Sequence, residues 1–362
     1  MMGAHIFNLL EIRLFSAVAI KDSGQLIFIL LFLSVITFNC AQKTKITPAK
    51  KDKNLISYVN PFIGTGGHGH TYPGATSPFG MVQLSPDTRL TGWDGCGGYH
   101  YSDSAIYGFS HTHLQGTGVS DYGDILFMPC TQFNSGAQSW PDRYKSRFSH
   151  KQEAATAGYY QVDLLDHGIH AELTTTSRVG IHRYQLERPD TLTLIVDMNH
   201  RDELVHYSIY PLDDSTLVGH RVSDNWAREQ HVYFAARFDR AFEWRDQLSE
   251  LRDLGVDENG TLLQEMEFVP VFACDFGVVD ELNARVALSF VSIEGALRNL
   301  QEEAPVSNFE RYKVQATSLW DSQLATIVAQ GGDDDKRKKF YSALYHCFTT
   351  PNIANDVDGQ YR

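Results

Sequence analysis

The chain has 362 residues, of which 43% are hydrophobic and 12% aromatic, and this composition excludes a largely disordered protein. It carries 31 basic and 44 acidic side chains, a formal net charge of −13, and no block rich in Lys or Arg. We therefore exclude nucleic acid as a partner, because a surface that binds nucleic acid must neutralise phosphates. A neutral ligand such as a sugar is compatible with this charge.

The first forty residues are predicted to direct export. Leu26–Phe38 is an uninterrupted apolar run of about thirteen residues, shorter than the roughly twenty that a membrane-spanning helix needs and typical of a signal-peptide core. A buried hydrophobic helix is the alternative interpretation. We predict a signal peptide over residues 1–40 and a Lys-rich linker over residues 41–54.

Cys40 follows the apolar run directly, at the position where bacterial lipoproteins carry the cysteine that is lipidated after cleavage. The three residues before it match the usual small-residue pattern poorly, so two outcomes stay open. Either the protein is released into the periplasm or onto the cell surface without an anchor, or a lipid on Cys40 anchors it to the outer membrane.

Residues 55–303 are predicted to form a large antiparallel β-sandwich, which makes the chain mainly β. Short segments of β-branched and aromatic residues, bounded by Gly, Pro, Asp or Asn, are typical of strands. Four such segments are Gly180–Leu186, Thr191–Val196, Val232–Phe238 and Val286–Ser292. Many strands with few helices between them indicate antiparallel sheets packed face to face.

After Val291 the pattern changes from alternation to helical spacing. Residues 294–303 and 307–329 are predicted as helices, and Ser307 with Glu310 has the spacing of a capping box at the start of the second. The predicted buried stripe of that helix consists of Phe309, Tyr312, Ala316, Leu319 and Gln323. We assign residues 304–332 as a linker helix.

A further helix is predicted to open at Asp333–Asp335, because acidic residues suit the positive end of a helix dipole. It should run to about Phe348 and end before Pro351. We assign residues 333–362 as the start of a helical domain and expect the rest of that domain beyond Arg362.

The stretch Tyr58–Met128 is dense in glycine, aromatic residues and histidine. Glycine at this density predicts shaped loops, because it allows backbone conformations that other residues disfavour. Aromatic and polar side chains on such loops are the components of a sugar site. A Trp face covers the C–H surface of a pyranose, and carboxylates or amides bind its hydroxyls.

Two His-x-His pairs in this stretch, His68 with His70 and His111 with His113, could in principle supply four imidazoles to zinc. Their spacing belongs to no common zinc motif, and no Cys or Glu lies in register. We therefore predict no metal site there and favour histidines that brace the loops through hydrogen bonds.

The same stretch contains the segments VNPFIGTGGHGHTYPGAT, PFGMVQLSPD, WDGCGGYHY, GFSHTHLQGTG and DYGDILFMP. Through them the chain closely resembles the opening of glycoside hydrolase family 92, the bacterial calcium-dependent exo-α-mannosidases, and residues 197–201 and 356–362 resemble later family segments. The resemblance implies an N-terminal β-sandwich joined by linker helices to a catalytic (α/α)6 barrel. It also implies that the general acid, the general base and most calcium ligands lie beyond Arg362, so we assign no catalytic residue within the chain.

Three candidate substrate-binding residues share one loop. Trp93 resembles the aromatic residue of the family's sandwich domain that projects into the mannose pocket, and a core tryptophan is the alternative. The flanking Gly92, Asp94 and Gly95 favour an exposed loop. Asp94 and Cys96 are candidates because they lie on the same loop.

Four further candidates lie elsewhere in the sequence. Asp356 or Asp358 resembles the aspartate that binds mannose hydroxyls in the family, and an Asx turn is the alternative for both. His111 and His113 either line the pocket or brace the loops around it, and we favour bracing.

For the whole enzyme, the resemblance implies hydrolysis of α-mannosidic bonds with inversion. One carboxylic acid protonates the leaving oxygen, and a carboxylate roughly 6.5–9.5 Å away activates water; calcium would hold two sugar hydroxyls. We expect α-mannosyl glycans as substrates, with α-1,2 linkages in N-glycans or mannan, and we expect this chain alone to be inactive. A stand-alone carbohydrate-binding β-sandwich module and a surface-anchored structural or adhesion protein are the alternatives.

Overall fold

A computed structural model describes residues 54–137, 139–246, 248–256 and 262–362. The predicted signal peptide, Cys40 with its lipid anchor, and all of the predicted linker except Asn54 lie outside the described residues.

Most of the regular structure in the described residues is antiparallel β-strand, as β-branched and aromatic alternation predicts. In chain order the strands are β1 Ala75–Thr76, β2 Gln83–Asp87, β3 Ala105–Ile106, β4 Gly108–Ser110, β5 Leu126–Cys130, β6 Ser146–Arg147, β7 Glu153–Thr156, β8 Tyr159–Leu164, β9 Ile169–Thr175, β10 Val179–Asp197, β11 Glu203–Pro211, β12 Thr216–Asp224, β13 Gln230–Phe238, β14 Glu243–Arg245, β15 Ser249–Val256, β16 Leu262–Phe268 and β17 Val271–Ser289.

Two long strands, β10 and β17, pair antiparallel along most of their length and belong to both layers of the fold. The first part of β10 pairs with β9, and its last part pairs with β5. Between the two parts the β10–β17 register shifts after Gln185 and again after Thr191, and such bulges bend a strand and increase its twist. One layer therefore runs β7-β8-β9-β10-β17-β13-β12-β11, and the other runs β1-β2-β4-β5-β10-β17-β14.

The core lies between these two layers. Across it, the ring of Phe109 on β4 lies 6.2 Å from that of Tyr184 on β10, centroid to centroid. Phe127 on β5 likewise lies 6.4 Å from Phe238 on β13. The predicted face-to-face sandwich is confirmed. The structure differs from the prediction in that residues 180–186 and 191–196, predicted as two strands, belong to one bent strand. The segment between them bulges without reversing the direction of the chain.

The helices are α1 Trp140–Tyr144, α2 Ile293–Glu303, α3 Phe309–Leu324 and α4 Asp334–Phe348. Ser292, predicted as the end of a strand, instead caps α2 by accepting a hydrogen bond from the backbone N–H of Gly295. The predicted start of α4 is confirmed, with Asp333 as its N-cap. Among the described helices, none is long and apolar enough to cross a membrane.

Helix α3 differs from its prediction in three respects. Its N-cap is Asn308 and not Ser307, because the Asn308 side chain accepts the hydrogen bond from Arg311 N–H. The helix ends at Leu324 and not at Ala329. Its buried side chains are Phe309, Tyr312, Ala316, Trp320 and Leu324. The buried stripe therefore contains Trp320 in place of the predicted Leu319 and Leu324 in place of the predicted Gln323.

Trp320 decides which face of α3 is buried. Its indole is fully buried, and Nε1 donates a hydrogen bond of 2.7 Å to the carbonyl of Thr76 on β1. Leu319, one position away and about 100° around the helix, remains 50% exposed. Burying the larger ring with a partner for its N–H is the more favourable arrangement.

Candidate functional site

Trp93 lies on a short 3₁₀ turn, Trp93–Gly95, at the end of the sandwich that carries the glycine-rich loops. Gly92 precedes the turn with φ of 88°, a conformation that favours glycine. The indole is 55% exposed. Its inner side contacts the imidazole of His70, 4.3 Å away between ring centroids, and a Cβ at Gly118 would overlap it. Trp93 therefore presents one side to solvent from a fixed position.

Asp94 and Cys96, the other candidates on this loop, face different environments. Asp94 Oδ1 lies 2.6 Å from His68 Nδ1, and this hydrogen bond lowers the pKa of Asp94. Cys96 is buried, and its Sγ donates to the carbonyl of Trp93 at 2.7 Å. Burial raises the pKa of the Cys96 thiol. The hydrogen bond from Sγ to the carbonyl of Trp93 closes the turn on its buried side.

Arg201, which the sequence analysis did not select as a site residue, holds this turn from below. Its buried guanidinium donates hydrogen bonds to the carbonyls of Gly95 at 2.9 Å, Cys96 at 3.3 Å and Arg89 at 3.2 Å, and to Ser120 Oγ at 2.7 Å. Only an arginine offers several donors in a rigid planar fork. The guanidinium therefore fixes the backbone that carries Trp93.

Beneath Arg201 lies a buried carboxylate, Asp87. Its Oδ1 is 3.3 Å from His113 Nε2, 3.4 Å from His200 Nε2 and 3.8 Å from Arg201 Nη1, while Oδ2 accepts a hydrogen bond of 2.5 Å from Ser110 Oγ. Burial alone would raise the pKa of Asp87, but the facing His113 and His200 hold it well below its usual range. The carboxylate is therefore ionised, and it lies beside the guanidinium of Arg201.

His111 and His113 both lie inside the fold. His111 Nδ1 donates to the carbonyl of Ile125 at 2.6 Å, its Nε2 lies 3.0 Å from His182 Nε2, and burial lowers its pKa to about 4. His113 Nδ1 donates to the carbonyl of Gln83 at 2.8 Å. These contacts are of the bracing kind, and a pocket-lining role for either histidine stays a prediction.

The two His-x-His pairs do not converge on one point. His68 bonds to Asp94, His70 packs on Trp93, and His111 bonds to His182. Within the part of the chain that the structure describes, no group of three or more His, Cys, Asp or Glu side chains could hold a metal ion.

A second exposed tryptophan, Trp226, lies on the loop between β12 and β13 and is 71% exposed. Asn225 Nδ2 pins this loop by donating to the carbonyl of Ser120 at 2.6 Å and to Asp202 Oδ1 at 2.9 Å. Ser120 also bonds to Arg201, so one residue joins the supports of Trp226 and Trp93. The sequence signal for this loop is the run of turn-forming residues Ser223, Asp224 and Asn225 directly before Trp226.

Asp121, one residue further, completes the support of the Trp226 loop. Its Oδ2 accepts a hydrogen bond of 3.0 Å from the backbone N–H of Ala227. Burial, and then the negative charge of Asp202, raise the pKa of Asp121 to about 7. This carboxyl therefore changes its charge close to neutral pH.

Asp356 and Asp358 lie in another neighbourhood, at the start of α2. Asp356 is buried and accepts hydrogen bonds of 2.7 Å from Ser289 Oγ and from Asn299 Nδ2. Asp358 pairs with Arg298 and accepts from the backbone N–H of Gln360 at 3.1 Å, the contact of an Asx turn. The described hydrogen bonds link neither aspartate to the Trp93 turn. Of the substrate-binding candidates, the structure therefore brings together only Trp93, Asp94, Cys96 and His113.

Sequence comparison assigns both parts of the chain to one family. The profile of the glycosyl hydrolase family 92 N-terminal domain matches residues 58–289, and that of the glycosyl hydrolase family 92 catalytic domain matches residues 295–362. The first match covers the sandwich with the Trp93 and Trp226 loops, and the second covers α2 to α4.

Solved structures of this family are similar to the chain. An alpha-mannosidase of this family from Bacteroides thetaiotaomicron, in complex with mannoimidazole, is 34% identical with a TM-score of 0.73, over 85% of this chain and 42% of that one. An inverting mannosidase from Bacteroides thetaiotaomicron VPI-5482 is 27% identical with a TM-score of 0.68, over 86% of this chain and 42% of that one.

The curated relative is described as an "Uncharacterized secreted glycosidase" of Arthroderma benhamiae, and it is 26% identical over 350 residues, 84% of this chain and 42% of the relative. The chain thus spans less than half the length of each of these three relatives. The matched profiles cover both the sandwich and the helices that follow it, and on this evidence the chain belongs to glycosyl hydrolase family 92.

Proposed function

We propose that this chain is the substrate-binding sandwich part of an exported exo-α-mannosidase. The enzyme hydrolyses α-mannosidic bonds, with α-1,2 linkages of N-glycans or mannan preferred, and inverts the anomeric configuration. The observation that carries the proposal is Trp93, exposed on a turn that Arg201 and His70 hold rigid. The family's solved mannosidases, one of them bound to mannoimidazole and one named as inverting, support the substrate and the stereochemistry.

Trp93 packs its exposed face on the C–H surface of the terminal mannose in this proposal, because an aromatic face suits the apolar side of a pyranose. Asp94 stands beside it as a hydroxyl acceptor, and Cys96 and His113 support the turn from within. Asp356 and Asp358 remain candidates for contacts to mannose hydroxyls, and His111 for the pocket wall, although each already has partners within the chain.

Inverting hydrolysis needs a carboxylic acid and a carboxylate roughly 6.5–9.5 Å apart across the scissile bond. We assign these roles to none of the residues 54–362. Asp87 is buried and ionised among histidines, and Asp94 is bonded to His68. We place the acid and the base in parts of the family's catalytic domain outside this chain, and we expect this chain alone to be inactive.

Calcium, which the family resemblance implies, does not fit the donor groups of the described residues. A calcium ion takes about six to eight oxygen ligands, whereas the carboxylates nearest Trp93 are each bonded to a histidine, an arginine or backbone N–H groups. No step of the reaction is therefore assigned to calcium on this chain.

We also propose the division of the chain and its destination. In this division residues 55–303 form the sandwich domain with α2 at its end, 304–332 the linker that contains α3, and 333–362 the start of the catalytic domain, whereas the catalytic-domain profile matches from residue 295. A signal peptide over residues 1–40 directs export to the periplasm or cell surface, with lipidation of Cys40 as the means of attachment to the outer membrane. The description of the Arthroderma benhamiae relative as secreted supports export. Mass analysis of the mature N-terminus tests it, and an intact segment 1–39 would contradict it.

The experiment that tests the activity is to incubate the protein that carries this chain with α-1,2-mannobiose and calcium and to follow the released sugar by proton NMR. β-Mannose should appear first, because inversion at an α-linked carbon releases the β anomer. Release of α-mannose first would contradict inversion. Binding of mannan without any hydrolysis would instead favour the alternative, a stand-alone carbohydrate-binding module.

A further inference from the structure

Two adjoining cavities open at the end of β5 opposite the Trp93 turn. Gly123, just before β5, packs against Arg201, whereas Thr131, just after β5, lines the first cavity. A strand of five residues spans roughly 17 Å, so the cavities are separate from the candidate mannose site. Their volumes are about 460 and 410 Å³, within the range of about 300–1,000 Å³ that small-ligand sites occupy.

The walls that the two cavities share include His167, which has an unused hydrogen-bonding nitrogen. Its Nε2 lies 2.9 Å from the carbonyl oxygen of Tyr144. Because a carbonyl can only accept, Nε2 carries the proton. Burial lowers the pKa of His167, so at neutral pH the ring is uncharged and Nδ1 is an acceptor.

Nothing in the described part of the chain donates to this acceptor. The His167 residue is 6% exposed, and Nδ1 is buried without a hydrogen-bond partner. A buried acceptor without a donor is unfavourable. Because Nδ1 itself is buried behind the cavity wall, a ligand hydroxyl satisfies it only after the imidazole moves towards the cavity.

The charges around the cavities balance. Four acidic and four basic side chains line the two cavities together. Several are already paired: Arg147 Nη2 lies 2.6 Å from Asp166 Oδ1, and Lys145 Nζ lies 2.6 Å from Asp142 Oδ1. The lining therefore favours neither an anion nor a cation, and its polar groups suit a neutral ligand with many hydroxyls.

An exposed aromatic ring stands at the second cavity. Phe133 lines it and is 39% exposed. Its ring is held edge-to-face against Trp140, 6.2 Å away between centroids, and the guanidinium of Arg143 covers the Trp140 ring at 5.0 Å. A fixed aromatic face beside hydroxyl acceptors is the combination that binds a pyranose.

We propose that these paired cavities bind a pyranose residue of a neutral glycan, whose C–H face packs on Phe133 while one hydroxyl donates to His167 Nδ1. The site breaks no bond. It holds a branched glycan about the length of one strand away from the Trp93 turn and so raises the local concentration of chain ends there. The choice of mannan as the glycan rests on the proposed function, whereas the site itself does not.

The test is native gel electrophoresis of the full chain in gels that contain yeast mannan, with a Trp93→Ala background that removes the first site. Migration of the Trp93→Ala chain should still be retarded. Adding Phe133→Ala should weaken the apparent affinity by about tenfold, as expected for the loss of an aromatic face. Tyr210→Ala, which removes an exposed aromatic side chain from β11, is the matched control and should change nothing.

Two outcomes would overturn the proposal: no retardation of the Trp93→Ala chain, or equal behaviour of the Phe133→Ala and Tyr210→Ala variants. Neither depends on hydrolysis. An inactive enzyme whose chain still shows Phe133-dependent retardation would defeat only the proposed activity.

A second variant tests the role of Nδ1. His167→Gln keeps an amide donor for the carbonyl of Tyr144 and replaces the acceptor Nδ1 by an amide oxygen at a different position. NMR titration with methyl α-mannopyranoside and its monodeoxy analogues should show one hydroxyl whose loss weakens binding to the Trp93→Ala chain but not to the same chain with His167→Gln. Equal losses in both chains for every analogue would refute the contact. If His167→Gln does not fold in a thermal melt, the Phe133→Ala comparison decides alone.

Discussion

Trp93 and Trp320 carry the same side chain in two different environments, one exposed to solvent and one buried in the core. Trp93 stands on a glycine-bounded turn, 55% exposed, with its position set by contacts to polar groups and backbone. Trp320 lies on α3, fully buried against the sandwich, with its N–H satisfied by Thr76. The first arrangement leaves an aromatic face free for a ligand, and the second uses the whole ring to attach a helix.

The largest effect on stability is expected for Trp320→Ala. The substitution leaves a cavity where the indole packs against Tyr345 of α4 and an unpaired carbonyl at Thr76, so it should lower the free energy of unfolding by about 3–5 kcal/mol. Chemical denaturation measures this. Leu319→Ala, at the exposed neighbouring position, is the matched control and should stay within about 0.5 kcal/mol of the wild type. Equal effects would mean that α3 packs through another face.

Arg201→Lys should cost less, because it keeps the positive charge near Asp87. A lysine cannot reach the carbonyls of Arg89, Gly95 and Cys96 together, so at least one buried acceptor loses its donor, at about 1–3 kcal/mol. The fluorescence of Trp93 should change as well, because the turn loosens. A variant with wild-type stability and unchanged fluorescence would show that the turn does not depend on the guanidinium.

The pH dependence of stability should reveal Asp121. Its pKa of about 7 lies above the ordinary value of 3.8. Between these two pH values the carboxyl is protonated in the folded state and ionised in the unfolded state. Its contribution to stability is complete below about pH 4 and is lost as the pH rises towards 7. Asp121→Asn should therefore flatten the fall of Tm with rising pH over this window. A slope identical to that of the wild type would contradict the raised pKa.

The smallest effect on stability is expected for Trp93→Ala, within about 1 kcal/mol, because the ring is more than half exposed. In the complete enzyme, however, kcat/KM for an α-mannoside should fall strongly, since the sugar loses its aromatic platform. Kinetics and thermal melts on the same preparation separate the two. A fully active Trp93→Ala enzyme would refute the placement of the pocket on this turn, and a large loss of stability would assign Trp93 to the core.

The sequence predicted the class of the fold because its signals are local and repeated. Alternation over Val232–Phe238 and the capping aspartate at Asp333 depend on residues that are neighbours in the chain, and both elements are found where expected. The exposure of Trp93 was also local information, since its flanking glycines exclude a regular strand or helix at that point.

The errors arose where two neighbouring residues competed for one role. Asn308 and Ser307 are both good N-caps, and Trp320 and Leu319 could each continue the apolar stripe of α3. The tertiary packing of α3 selects between them, because only one register gives the indole N–H a partner at Thr76. No local pattern contains that choice.

The sequence alone therefore determined the mainly β architecture, the order of sandwich and helices, the glycine-rich loop end and the family, since these follow from periodicity, capping and motifs within short segments. The tertiary structure alone decided that Arg201 lies under the Trp93 turn, that Ser120 joins the Trp93 and Trp226 loops, and that His167 lines a cavity while its buried Nδ1 has no donor. The partners in these contacts lie 23 to 106 residues apart in the chain, and only the tertiary fold brings them together.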